Sequence, residues 1–187
     1  MILAVLDACV LYPQSLRDLL MRVAVVGAYE PRLTDEIHAE WIRNVLADRP
    51  ELNPAHLERT RQLMSLITPK CLVSGYEAHI PTISLPDAND RHVVAAAMEA
   101  KAPVIVTFNL SDFPAPTLLA YGVMPVHPDM FLSALFDENS ALFLHAVQVH
   151  RASLKNPPKS VEDYIQTLRV NGLKELAVRV EAGAAAI

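Results

Sequence analysis

Five consecutive apolar residues, Ile2-Leu3-Ala4-Val5-Leu6, stand directly before Asp7, and this short run constrains the fold more tightly than anything else in the chain. It is far shorter than the roughly 18 residues that a membrane span requires. Apolarity without alternation marks a strand buried on both faces, which is how parallel strands covered by helices read. An acid placed immediately after such a strand lies at the carboxyl edge of the sheet, where open α/β folds bind their ligands. Val104-Ile105-Val106-Thr107-Phe108 repeats the pattern and is followed by Asn109 and Asp112. At least two acids are thereby delivered to one sheet edge.

The rest of the first 130 residues alternates helical and strand patterns. After Tyr12-Pro13, Ser15 is a candidate cap for a helix whose apolar positions Leu16, Leu19, Leu20, Val23 and Val26 keep a 3.6-residue period and which Gly27 ends. Pro31 to Thr34 leads into a second helix with Thr34 as candidate N-cap, and a break over residues 50–54 precedes a third helical stretch, His56 to Ile67. Cys71-Leu72-Val73 is a short strand candidate, residues 81–89 form a loop, and Val93 to Ala100 is a strongly apolar helix. Val104 to Phe108 and Val123 to Val126 are further strands. Such alternation implies a mainly parallel sheet with helices on both faces. From Met130 onward only helical patterns remain, at residues 130–136, 141–152, 161–170 and 173–180. Ser160 with Asp163 three residues on resembles a capping box with Asp in place of the usual Glu. The chain therefore divides into an α/β body, 1–129, and a helical extension, 130–187. The extension is expected to supply binding surface, with Leu142, Ala146, Val149, Ile165, Leu168 and Leu176 packing on the body, a second subunit or another protein.

Composition removes several function classes. Hydrophobic content of 52% with 20% charged residues is a globular balance that excludes general disorder. The N-terminus carries no basic segment ahead of its apolar run, so a non-exported, cytoplasmic protein without membrane contact is expected. Cys9 and Cys71 lack close-spaced partners and fit no zinc or thioredoxin pattern; both are expected to be small buried hydrophobes. The net charge of −5 is uneven: residues 1–129 hold 10 basic and 15 acidic side chains, and the remainder six of each. Long basic stripes that hold nucleic acid by counterion release are missing, so nucleic-acid contact has to be local or metal-assisted.

Four acids recur at strand ends and helix starts: Asp7, Glu40, Asp90 and Asp112. Each has an ordinary reading beside a functional one. Asp7 could cap the next helix, but it emerges between apolar neighbours and would be costly to bury unpaired. On the second helix Ile37, Trp41 and Val45 share a stripe that Ile42 and Leu46 widen; Glu40 falls on its border while Glu36 points further out. Glu40 is the better candidate for a cleft rim. In Leu85-Pro86-Asp87-Ala88-Asn89-Asp90-Arg91-His92, Asp87 reads as an N-cap and Asp90 as a metal ligand. His92 reads as a polar helix residue, because hard cations prefer oxygen. In Thr107-Phe108-Asn109-Leu110-Ser111-Asp112-Phe113, Thr107 and Asn109 could position a water or a phosphate and Asp112 could complete a metal site, with an Asx-type turn as the competing account.

The order of these motifs resembles a PIN domain, the nuclease fold of VapC-type toxins in toxin–antitoxin systems. The resemblance is carried by Val5-Leu6-Asp7-Ala8-Cys9-Val10-Leu11, Thr34 through Glu40, Asp87 through Ala97, and Val106 through Phe113. It implies a three-layer α/β/α sandwich and Mg²⁺ or Mn²⁺ held by Asp7, Glu40, Asp90 and Asp112. It also implies endonucleolytic cleavage of structured RNA such as tRNA or rRNA, inhibition by a cognate antitoxin protein, and a homodimer. Two departures stand out. The family often carries another acid where Asn109 stands, so Asp112 is either the fourth ligand or a group one shell out; and the helical extension exceeds a minimal PIN domain.

Other classes fit less well. A haloacid-dehalogenase-like phosphatase needs a second Asp two residues after the first, where Cys9 stands, and a response-regulator-like phosphoacceptor needs a lysine at the last edge motif. A catalytically silent PIN-like interaction module remains open on sequence alone.

Overall fold

A computed structural model describes all 187 residues. Four strands form one parallel sheet in the order β2-β1-β3-β4, with β1 at Ile2–Leu6, β2 at Tyr29–Arg32, β3 at Val104–Val106 and β4 at Met124–Val126. In β1 the successive residues Ala4, Val5 and Leu6 are all fully buried, so both faces of the sheet are covered, as the unbroken apolar run predicts. The result is a three-layer α/β/α sandwich with helices added at its C-terminal end.

The edge strands explain what periodicity missed. Each carries a proline, Pro31 in β2 and Pro125 in β4. Proline cannot donate to a ladder and is tolerated only where one side of the strand is unpaired. Tyr29–Arg32 therefore does not read as a strand, although Tyr29 is buried and the register with β1 is regular. Residues 71–73 add only a single parallel bridge, Leu33 with Leu72. Extension stops there because Thr34 turns the chain at once into the helix Asp35–Asp48.

The body helices are α1 (Ala8–Leu11), α2 (Gln14–Val25), α3 (Asp35–Asp48), α4 (Pro54–Ile67), α5 (Arg91–Ala100) and α6 (Ala115–Leu119). Helix α2 starts earlier than expected: Ser15 lies inside it, and Pro13 occupies the cap position without a side-chain bond. Gly27, at φ +84, terminates the turn after α2. Thr34 does cap α3, its hydroxyl accepting the Ile37 amide at 3.0 Å, worth about 0.5–2 kcal/mol. Helix α5 packs on β1, β2 and β3 and sends Val93 through Ala97 into the core.

The extension consists of α7 (Pro128–Glu138), α8 (Ser140–Ser153), α9 (Val161–Val170) and α10 (Lys174–Ala182). Ser160 accepts the Asp163 amide at 3.1 Å, the capping arrangement read from sequence. The expected division after Asp129 falls inside α7, and one cluster of 48 buried apolar residues runs continuously through body and extension. Ala146, Ile165, Leu168 and Leu176 are buried as expected. Val149 is not: it is 40% exposed, because α8 turns Phe143, Ala146, Val147 and His150 inward. Apolar residues on two sides of α8 left its phase ambiguous in the sequence.

Candidate active site

Asp7 ends β1 and is 4% exposed. Its amide donates to the Val106 carbonyl at 3.1 Å, which ties the ends of the two central strands together. Its Oδ2 accepts from the Thr107 hydroxyl at 2.7 Å and from the Cys9 thiol at 3.0 Å. The network continues outward: the Phe108 amide donates to Cys9 Sγ at 3.3 Å and the Asn109 amide to Thr107 Oγ1 at 2.9 Å. Burial raises the Asp7 carboxyl above its ordinary value, opposed by the bonds from Thr107 and Cys9 and reinforced by the charge of Glu40. No basic side chain answers it among the chain's ion pairs.

Two expected roles change here. Thr107, expected to position a water or phosphate, is fully buried and its hydroxyl already serves Asp7 and the Asn109 amide. It orients the carboxylate instead. Cys9, expected to be a passive hydrophobe, is a hydrogen-bonding neighbour of Asp7; burial pushes its thiol up to about 12, so the sulfur stays protonated and donates. Nothing in the spacing of a lone cysteine announces that role, although its position two residues after a strand-end acid places it on the same edge.

Glu40 is 28% exposed and Glu36 54%, in the order that the helical phase predicts. Both nevertheless line one cleft of ≈ 520 Å³ with Asp87 and Asp90. Between them lies His92, only 5% exposed, with Nε2 at 3.5 Å from Glu40 and Nδ1 at 3.8 Å from Glu36. A histidine two residues after Asp90 reads as a polar helix residue by sequence; it is buried where the start of α5 meets Glu36 and Glu40 of α3. Asp87 caps the turn at Ala88–Asp90 by accepting the Asn89 amide at 2.8 Å, as expected. Asp90 stands at the start of α5 and makes no capping bond to it. Its carboxyl is pushed up to about 6, first by burial and then by the charges of Asp7, Asp87, Asp112 and Glu40. Asp112 belongs to the turn after β3, its amide bonded to the Asn109 carbonyl at 3.0 Å, and Asn109 is exposed on that turn.

Asp7, Glu40 and Asp112 therefore lie near enough to Asp90 for their charges to raise its carboxyl. They converge without closing: no three Asp, Glu, His or Cys side chains stand near enough together to hold one ion in this arrangement. As a donor set they are hard oxygens, with the only nearby sulfur protonated, and this chemistry suits Mg²⁺ or Mn²⁺ rather than a soft metal.

Residues 4–111 match the family model described as PIN domain. The chain belongs to the PIN domain family. Residues 128–182 match a second model, described as VapC50 C-terminal domain, so the extension too has a counterpart in the VapC-type branch. A 43-residue stretch is 54% identical to a Mycobacterium tuberculosis protein named "Putative ribonuclease VapC50", covering 23% of this chain and a quarter, 25%, of that relative. No solved structure matches the chain at a significant level. No helix in this PIN protein is long and apolar enough to cross a membrane.

Proposed function

We propose that this PIN protein is a divalent-metal-dependent endoribonuclease, the toxin of a toxin–antitoxin pair, acting on structured RNA such as tRNA or rRNA. Asp7, Glu40, Asp90 and Asp112 are its catalytic acids and would hold Mg²⁺ or Mn²⁺. The observation that carries this reading is a buried Asp7 at the end of the central strand, with no cationic partner, near Glu40 of α3 and near Asp90, on which Glu40 and Asp112 also act. Four uncompensated carboxylates in one place are costly unless a cation answers them. A bound divalent ion supplies charge compensation and Lewis acidity toward a phosphodiester and an attacking water.

The chain's own residues do the rest. Thr107 and Cys9 fix the orientation of the Asp7 carboxylate through Oδ2. His92 braces Glu40 from α5. Asn109, exposed on the turn that carries Asp112, would position a water or phosphate. The relative's printed name supports the ribonuclease reading, and a cognate antitoxin, a homodimer and cytoplasmic action belong to the same proposal.

Asp7→Asn and Asp90→Asn each remove a charged oxygen while keeping side-chain shape. Both should abolish Mn²⁺-dependent RNA cleavage and weaken Mn²⁺ binding by calorimetry, with the circular-dichroism spectrum unchanged. Folded mutants that cleave RNA at the wild-type rate would sink the assignment. Folded protein in which wild type binds no Mn²⁺ would instead favour an interaction module.

A further inference from the structure

Two guanidinium groups line the acidic cleft and find no match within the chain. Arg43 follows Glu40 by three residues on α3, the spacing that places two side chains on one helical face, and Arg91 directly follows Asp90 at the start of α5. Both line the ≈ 520 Å³ cleft together with Glu36, Glu40, Asp87 and Asp90. Despite those carboxylates, neither arginine joins any of the chain's ion pairs, and Arg91 Nε is buried without a hydrogen-bond partner. His92, on the same wall and 5% exposed, also has an unpartnered Nδ1. Arg17, Arg22, Arg59 and Arg151 are likewise absent from the ion pairs, but only Arg43 and Arg91 line this acidic cleft.

An arginine left unpaired beside acids keeps its planar fork of donors for something that enters, and the ligand that this fork fits best in an acid-lined cleft is a phosphate. The need for such groups is acute here. With a net charge of −5 and carboxylates at the site, an RNA backbone meets repulsion everywhere except where positive charge is supplied locally. Resting on the ribonuclease reading, we propose that Arg43 and Arg91 are the phosphodiester-binding residues of the cleft, holding the RNA backbone against the wall that carries Glu40 and Asp90. Arg91 directly follows Asp90, and Arg43 lies three residues after Glu40 on the same helix. Binding and cleavage are thereby built from the same two helices, α3 and α5, and a chain without a basic stripe can still retain RNA.

The test uses the full-length Asp7→Asn chain, so that the probe stays intact, and a fluorescein-labelled single-stranded oligoribonucleotide followed by anisotropy across a salt series. Arg43→Ala and Arg91→Ala should each raise Kd and reduce the slope of log K against log salt by about 0.7, the value for one lost phosphate contact on a single strand. The double variant should lose about twice that. Arg49→Ala, which removes an exposed arginine paired with Glu51 outside the cleft, should leave the slope unchanged. Should Arg91→Ala fold poorly, Arg91→Gln replaces it, and Arg91→Lys should restore the slope while binding less tightly. In the wild-type background, the two alanine variants should raise KM for RNA more than they lower kcat. Alanine variants that keep the parental slope and Kd overturn this assignment even if the wild-type chain cleaves RNA. A parent that binds no RNA also overturns it, and if the wild type then fails to cleave as well, the ribonuclease reading falls with it.

Discussion

The body and the extension each bury one carboxylate, and the two are treated in opposite ways. Asp129, 7% exposed on α7, accepts the backbone amides of Glu175 and Leu176 at 2.9 Å each. It caps α10 from a neighbouring helix, and both its oxygens are matched by donors that the helix start leaves over. Asp7, 4% exposed, receives a hydroxyl and a thiol on one oxygen, has no cationic partner and lies near Glu40. The extension thus uses its buried charge to fasten the chain. The body leaves its buried charge uncompensated, which is the mark of a site held at some expense to stability.

That contrast can be broken by exchanging the consequences of mutation. Asp7→Asn should lower RNA cleavage by more than about 100-fold, beyond the 10–100-fold typical of a partner one shell out, while urea unfolding shows stability equal to or above wild type because a neutral amide replaces an uncompensated buried charge. Asp129→Ala should do the reverse. Leaving two helix amides without acceptors should destabilise the fold by about 1–3 kcal/mol, with the activity of the folded fraction retained. Loss of stability in the first and of activity alone in the second would overturn the division.

Within the body, Glu40→Gln should reduce kcat by about 10–100-fold, whereas Glu36→Gln, more exposed and further from Asp7, should cost less than about tenfold. Equal losses would mean that His92, which touches both acids, couples them into one unit.

The two regions also touch, and Gly172 measures how firmly. It turns from α9 to α10 at φ +79, and an added Cβ would lie 3.4 Å from Phe108 Cε1. Phe108 packs edge-on against His127 with ring centroids 5.2 Å apart, and its amide reaches Cys9 beside Asp7. Gly172→Ala should destabilise by about 1–2 kcal/mol for the left-handed backbone alone. It should also lower kcat a few-fold, about 1 kcal/mol or less, by pressing on the turn that carries Asn109 and Asp112. Unchanged kcat in the folded mutant would show that the extension is energetically separate from the site.

The smallest expected effect is on pH dependence. Asp90 titrates at about 6 when folded and near 4 when unfolded, so the native state binds the extra proton between those values. Its contribution to stability is fully present below about pH 4 and is lost as pH rises through about 6. Metal-free protein should therefore show a Tm that drifts down over that window. Mn²⁺ affinity should move the other way, falling as pH drops below about 6, because proton and ion compete for the same oxygen. A Tm that rises across the window in the metal-free chain would remove Asp90 from the repelling cluster.

Much of this protein was determined by local pattern. The buried strand before Asp7, the alternation that makes a parallel sheet, the Thr34 cap and the Ser160 cap all depend on residues within a few positions of one another, so period and capping chemistry suffice to read them. That Asp7 and Asp112 follow the two central strands was also legible, because an acid after a buried parallel strand stands at the carboxyl edge of the sheet. The edge strand at Tyr29–Arg32 was hidden by its proline, which only an unpaired neighbour side makes tolerable. Tertiary structure alone decided the rest: that Thr107 and Cys9 serve Asp7, that His92 is buried between two glutamates, that α8 turns Phe143 rather than Val149 inward, and that Asp129 caps a helix 46 residues away. Each of these depends on which face of one element meets another, and a hydrogen bond or a burial made between distant segments leaves no period in the sequence from which to read it.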